Sequence, residues 1–313
     1  ELPLVLAPDP DSTERVVLSD PVMIEAIGAV CPRLHGLTDI PPVPARRPSR
    51  LWRTMLILLV LVVVGAGAAR LQTPQVLSGF IHADTVAELG AQQVVLVARS
   101  LGGGTAVAQC TGTDGIAALD RLISRLSPEE SAAGPVPRLI VLDDPAVDAL
   151  ALPGGQILLT RGLLEAASAP EQVAGVLAVE AAHVAAGDPL RRSIGALDVL
   201  DRLDLLTGAS LEAEAEALVT TRLLDGAGLD PGAADAALSR LEAVGLPWQP
   251  FAVFLEDLQT RGAPYAVRRK GLSPLLDTVS GGVSADAAFT PALGDRDWLA
   301  LGNICEQTAP VAP

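Results

Sequence analysis

The stretch Val179-Glu180-Ala-Ala-His183 carries two of the three side chains of a metal-hydrolase helix. In the H-E-x-x-H arrangement, two histidines one turn apart place ring nitrogens on a zinc ion from one helical face. The glutamate between them acts as general base on the metal-bound water. Here Glu180 holds the base position and His183 the second ligand position, but Val179 stands where the first histidine belongs. An isopropyl group has no lone pair to give. The chain has 3 histidines, His35, His82 and His183, and none follows His183, so the C-terminal half holds no histidine to replace the missing one. A catalytic zinc takes three protein ligands and keeps one open position.

The elements that must position these groups have their own signatures. Upstream run Leu139-Ile140-Val141-Leu142 and then Asp148-Ala149-Leu150-Ala151-Leu152-Pro153-Gly154-Gly155-Gln156-Ile157, followed by Arg161-Gly162-Leu163-Leu164. Downstream come Ser210-Leu211-Glu212-Ala213-Glu214-Ala215-Glu216-Ala217-Leu218 and Ala227-Gly228-Leu229-Asp230-Pro231. These ordered blocks, with the helix between them, resemble the HtpX-like, CAAX-prenyl-protease-like and BepA-type zinc metallopeptidases over roughly residues 139–231.

The resemblance implies an α+β fold, a zincin-like metallopeptidase domain that is α-rich with a small sheet. It implies zinc as the ancestral cofactor and Glu214 as the third ligand position, with Glu212 in the alternative register. It also implies that Leu152, Pro153, Gly154, Gly155, Gln156 and Ile157 line a substrate groove where an extended peptide adds to a strand edge.

The departures fall on the chemistry. Val179 replaces a ligand, Leu218 replaces the family's aspartate, Asp148 replaces an asparagine, and the later histidine is absent around Gly262-Ala-Pro-Tyr265. The expectation is therefore a catalytically impaired pseudoprotease that binds extended peptides or partner proteins, with Glu180 vestigial and no cofactor beyond residual zinc. Two alternatives stand beside it. One is an active zinc metalloendopeptidase of envelope quality control with an altered metal sphere; the other is a structural subunit of a membrane complex. His183 is expected either in the old ligand position or paired with Glu214 or Glu180.

Composition narrows the setting. The 313 residues are 50% hydrophobic but only 3% aromatic, so alanine, leucine and valine must fill the core. A net charge of −15 argues against a nucleic-acid partner, which demands basic patches. Between Arg53 and Arg70 the chain carries no charge. At about 1.5 Å per residue this uncharged run covers about 24 Å, and Leu51, Trp52 and Leu71 extend it toward the ~30 Å of a bilayer core. Arg46, Arg47, Arg50 and Arg53 precede the run, whereas only Arg70 follows before Asp84 and Glu88. The positive-inside rule then puts the N-terminus in the cytoplasm and the large C-terminal part in the periplasm, across an inner membrane. The expected organisation is residues 1–44 as the remnant of a small cytoplasmic β domain, 45–50 as a basic Pro-rich linker, 51–72 as a transmembrane helix and 73–313 as the zincin-like domain.

That topology separates Cys31 from Cys110 and Cys305. Relatives of this type often end in W-x-x-L-x-x-I-C, as Trp298 to Cys305 does here, and a Cys110–Cys305 disulfide is the expectation, with two separately buried thiols as the alternative. Local signals place helices over 117–126, from a Ser168–Glu171 capping box to Ala186, over 211–224 and over 235–244, with strands at 138–142 and 155–160.

Overall fold

The computed structural model describes residues 4–8, 11, 13–31, 50–71, 73–126, 137–225, 232–268 and 290–311. The chain divides into two compact units, 1–65 and 66–313.

In the first unit, β1 (Leu4–Leu6) and β2 (Val16–Leu18) form an antiparallel ribbon with Leu4 opposite Leu18. Helix α1 (Pro21–Val30) follows, started by Asp20, whose carboxylate accepts the Val22 N–H at 3.0 Å, with Pro21 in the first turn. The expected linker lies outside the described residues up to position 49.

Helix α2 (Arg50–Leu71) runs for 22 residues over the expected apolar segment. Met55 to Val63 are all more than half exposed, and nine consecutive residues cover every face of a helix. Among the described residues, no single helix is long and apolar enough to cross a membrane; within α2 the described apolar stretch is Thr54–Val63.

The second unit is built on a five-stranded sheet, β3 (Gln109–Cys110), β4 (Arg138–Leu142), β5 (Ala149–Leu152), β6 (Gln156–Thr160) and β7 (Thr308–Ala309), in the order β5-β6-β4-β3-β7. The β4–β6 pair is parallel and the others are antiparallel. Its strands alternate as a pleat requires. Val141, Ala149, Ile157 and Leu159 join one apolar core, while Ile140, Leu142, Leu150, Leu152 and Leu158 join another. The first core holds α5 (Thr113–Leu126), α6 (Arg161–Ala166), α7 (Pro170–Ala186), α11 (Gly232–Ala243), α12 (Gln249–Thr260) and α13 (Pro264–Arg268). The second holds α3 (Pro74–Leu77), α4 (Ala83–Leu101), α8 (Asp188–Ala196), α9 (Val199–Thr207) and α10 (Ala213–Leu224). Helices therefore cover both faces of one small sheet, an α-rich α+β unit.

One local expectation is corrected by tertiary contacts. The capping box before α7 does not form: Glu171 accepts the Ala292 N–H at 2.9 Å, and Gln172 instead accepts the Ser168 N–H at 2.7 Å. Helix α4 lies in the stretch 73–116, to which the local sequence signals assign no helix. It lies hard against the Pro153-Gly-Gly turn, where a Cβ on Gly90 would sit 2.1 Å from the Pro153 carbonyl oxygen and one on Gly154 2.9 Å from Ala87 Cα. Gly154 also has φ +75, so glycine is required there on both counts.

The C-terminal tail closes the sheet. Helix α14 (Asp295–Gly302) lies on α5, with Arg121 bonded twice to Asp297 at 2.7 and 3.0 Å, and β7 pairs with β3. Cys110 and Cys305 form the expected disulfide across 195 residues. Peptide mapping without reductant should recover the Cys110 and Cys305 peptides as one cross-linked species. Closing so long a loop contributes on the order of 4–5 kcal/mol by loss of unfolded-state entropy, so Cys305→Ser should lower the urea midpoint strongly. Recovery of both thiols alkylated in the native protein would overturn the assignment.

Candidate active site and its buried carboxylates

Helix α7 is the axis of the unit. Every residue from Glu171 to His183 is less than one-tenth exposed, because α5, α11 and α12 pack around it and β5 and β6 lie against it. Its core is made of Val173, Ala174, Val176, Leu177 and Ala178, which accounts for the continuous apolar run in the sequence. Val179, in the first-ligand position, is 2% exposed and belongs to the same apolar core.

Glu180 is fully buried, and its Oε2 accepts the backbone N–H of Ala151 on β5 at 2.9 Å. Strand β5 is at the edge of the sheet, with Ala151 opposite Ile157 and Ala149 opposite Leu159 on β6. Residues two apart on a strand share an orientation, so the N–H groups of Ala149 and Ala151 both point away from β6. Ala149 N–H is taken by the Asp148 carboxylate at 2.8 Å. Both outward donors of the edge strand thus end on carboxylates of the same chain.

Most residues of the expected groove are covered. Leu152, Pro153, Gln156 and Ile157 are buried, Gly155 is half-buried and only Gly154 is exposed. Helices α4, α7, α8 and α10 all reach β5. A peptide adding to this edge needs free donors and an open flank, and the described structure offers neither.

His183 is 3% exposed and pairs through Nδ1 with Asp188 Oδ2 at 2.7 Å, not with Glu214 or Glu180 as expected. The reason is local. Gly187 ends α7 in the left-handed conformation with φ 73, which turns the chain so that Asp188 opens α8 beside the histidine. Asp188 is 2% exposed, and its other oxygen is held by Arg191. One residue further, Arg192 crosses to the C-terminal end of α10, donating to the carbonyls of Arg222 at 2.5 Å and Leu223 at 2.8 Å. Sequence reasoning missed Asp188 and Arg192. An acid five residues after a buried histidine was the signal available for Asp188.

Glu214 is exposed on α10, as is Glu212 at its start. The buried face of that helix is Ala215, Val219, Thr220 and Leu223, packed toward α8 and α4. Leu218, four residues after Glu214, is 51% exposed on the same outer face. The expected third ligand and the expected second ligand are therefore not brought together.

The donor set does not fit a three-ligand zinc. Val179 has no donor, Glu180 is engaged with the strand, and Glu214 faces solvent. Among the described residues, the one group of three metal-ligating side chains with mutually close atoms is Cys110, Asp143 and Cys305, and both sulfurs there are in the disulfide.

The fold and site define a helix-rich domain carrying the skeleton of a metallopeptidase helix. Residues 116–226 match the family model for peptidase family M48. Over that stretch, about a third of the chain, the sequence is similar to peptidase family M48. No curated protein matches the chain.

The role of Glu180 as a strand anchor has a measurable consequence. Glu180→Ala leaves a buried N–H without its acceptor and should lower stability by about 1–3 kcal/mol in urea unfolding. Glu180→Gln keeps an amide oxygen for Ala151 and should cost clearly less. Equal stability of all three proteins would show that the contact does not hold the strand.

Proposed function

We propose that this protein is a membrane-anchored, catalytically silent member of peptidase family M48 that works in the cell envelope by binding partner proteins rather than by cutting them. The observation that carries the reading is the fate of Glu180. A general base must reach a water molecule, yet this carboxylate is fully buried and fastened to the Ala151 N–H. Val179 and the outward-facing Glu214 remove two of three ligand positions from the same place. With both outward N–H groups of β5 occupied, recognition by strand addition is not favoured, and binding falls to the outer helical faces.

The anchoring is α2, whose apolar side chains from Met55 to Val63 stand exposed on all sides. A helix that is apolar all round belongs in a core or in lipid. The arginines at 46, 47, 50 and 53 against the single Arg70 favour a cytoplasmic N-terminus and a periplasmic second unit, in the inner membrane. The disulfide is consistent with that oxidising side.

The test is metal content and proteolysis on the full chain. The wild-type protein should purify with far less than one zinc per chain and leave unfolded casein intact. Val179→His, which adds an imidazole one turn before His183, should raise zinc affinity. Stoichiometric zinc in the wild type, with casein cleavage that stops on adding chelator and in Glu180→Gln, would overturn the reading in favour of a working endopeptidase.

A further inference from the structure

Helix α9 carries apolar side chains on the face that does not pack. Leu205 is buried in the core, yet Val199, Leu200 and Leu203 are 56%, 70% and 56% exposed. At about 100° per residue these three lie within an arc of roughly 100°, on which Thr207 is the polar member and Asp204 marks the edge. A single exposed leucine means little, but a stripe of three on one helix is a contiguous surface.

The stripe does not stand alone. Gly195, at the end of α8, approaches Pro74 of α3, its position for a Cβ lying 3.9 Å from Pro74 Cγ. Gly208, which caps α9, lies likewise 3.6 Å from the Thr85 hydroxyl at the start of α4. The chain on either side of α9 therefore comes near the two ends of the segment 74–85, and Leu77 of that segment shares a core with Leu205 of α9. That segment exposes its own large apolar groups, Val76 at 40% and Phe80 at 62%. Two neighbouring elements of the second unit thus present Val76, Phe80, Val199, Leu200 and Leu203 outward.

Chain connectivity says what covers this surface. Helix α2 ends at Leu71 and α3 starts at Pro74. Val76 is five residues beyond the end of the apolar helix, within about 18 Å of it even at full extension. We propose that α3, Phe80 and α9 form a second membrane contact, lying in the headgroup–acyl boundary of the bilayer. This inference rests on the anchoring of α2 proposed above. An interfacial element sinks its apolar side about 5–10 Å into that boundary, and Leu200, Leu203 and Phe80 are the side chains placed to enter it. The contact would fix the orientation of the second unit against the bilayer instead of leaving it on a free tether.

The experiment uses the full chain in phosphatidylethanolamine–phosphatidylglycerol vesicles, with Cys31→Ser to remove the free thiol and a polarity-sensitive fluorophore on single introduced cysteines. Leu200→Cys and Phe80→Cys report the proposed contact. Ile57→Cys reports α2, and Val253→Cys, 64% exposed on α12, serves as the aqueous reference. Emission at 200 and 80 should shift to the blue, and a nitroxide lipid should quench it severalfold more than at 253. Quenching at 57 with none above the reference at 200 and 80 overturns the second contact and leaves the anchor standing. Water-like emission at 57 as well removes the anchor and this inference together. A blue shift at 200 and 80 that needs no lipid and grows with protein concentration would assign the surface to a protein partner instead.

Discussion

The packing of the second unit depends on what a fully buried glutamate requires. Helix α7 is enclosed by helices on one side and the sheet on the other, so Glu180 is cut off from bulk solvent. A buried carboxylate persists only where donors meet it. The backbone of an edge strand has the converse need, since its outward N–H groups are unsatisfied by the sheet. The Glu180–Ala151 hydrogen bond serves both needs. It fixes how far α7 stands from β5, and with the close approach of α4 to the Pro153-Gly-Gly turn it seals the sheet edge from both flanks.

A zinc ion would ordinarily tie two such helices together. Here the tie is made of side chains from α8. Asp188 takes His183 from the helix before it, and Arg192 takes the terminal carbonyls of α10. Both residues are nearly inaccessible, at 2% and 6%, so these charge-assisted bonds are screened little by water. The short helix α8 thereby joins α7 to α10 without requiring that either present a metal ligand. Removal of the first ligand then costs the fold little, because Val179 simply extends the apolar surface already made by its neighbours.

Much of this was legible in the sequence, for identifiable reasons. The limits of α7, the strands expected at 138–142 and 155–160 and the disulfide follow from uninterrupted apolar runs, proline and glycine punctuation and a family resemblance. The missing ligand is a matter of residue identity alone. What could not be read was orientation. Whether Glu214 or Ala215 faces inward differs by one residue on an alanine-rich helix, where the apolar periodicity is too weak to choose. The partner of His183 was hidden for a related reason. Asp188 becomes its neighbour because Gly187 adopts a left-handed turn, and that geometry is a property of the fold.

The orientation of α10 also decides how far the site lies from catalysis. Bringing Glu214 toward His183 requires turning α10 about its axis, since adjacent helical positions are about 100° apart. That rotation would carry Ala215, Val219 and Leu223 out of a packed core and leave the carbonyls of Arg222 and Leu223 away from Arg192. Three apolar side chains and two charge-assisted bonds oppose the movement, while the exposed Glu214 gains nothing from it unless a cation is already held. Restoring a histidine at 179 supplies a donor to one side of the site only. On the reading proposed above, the third-ligand position is turned outward by the packing of a whole helix, independently of the residue at 179.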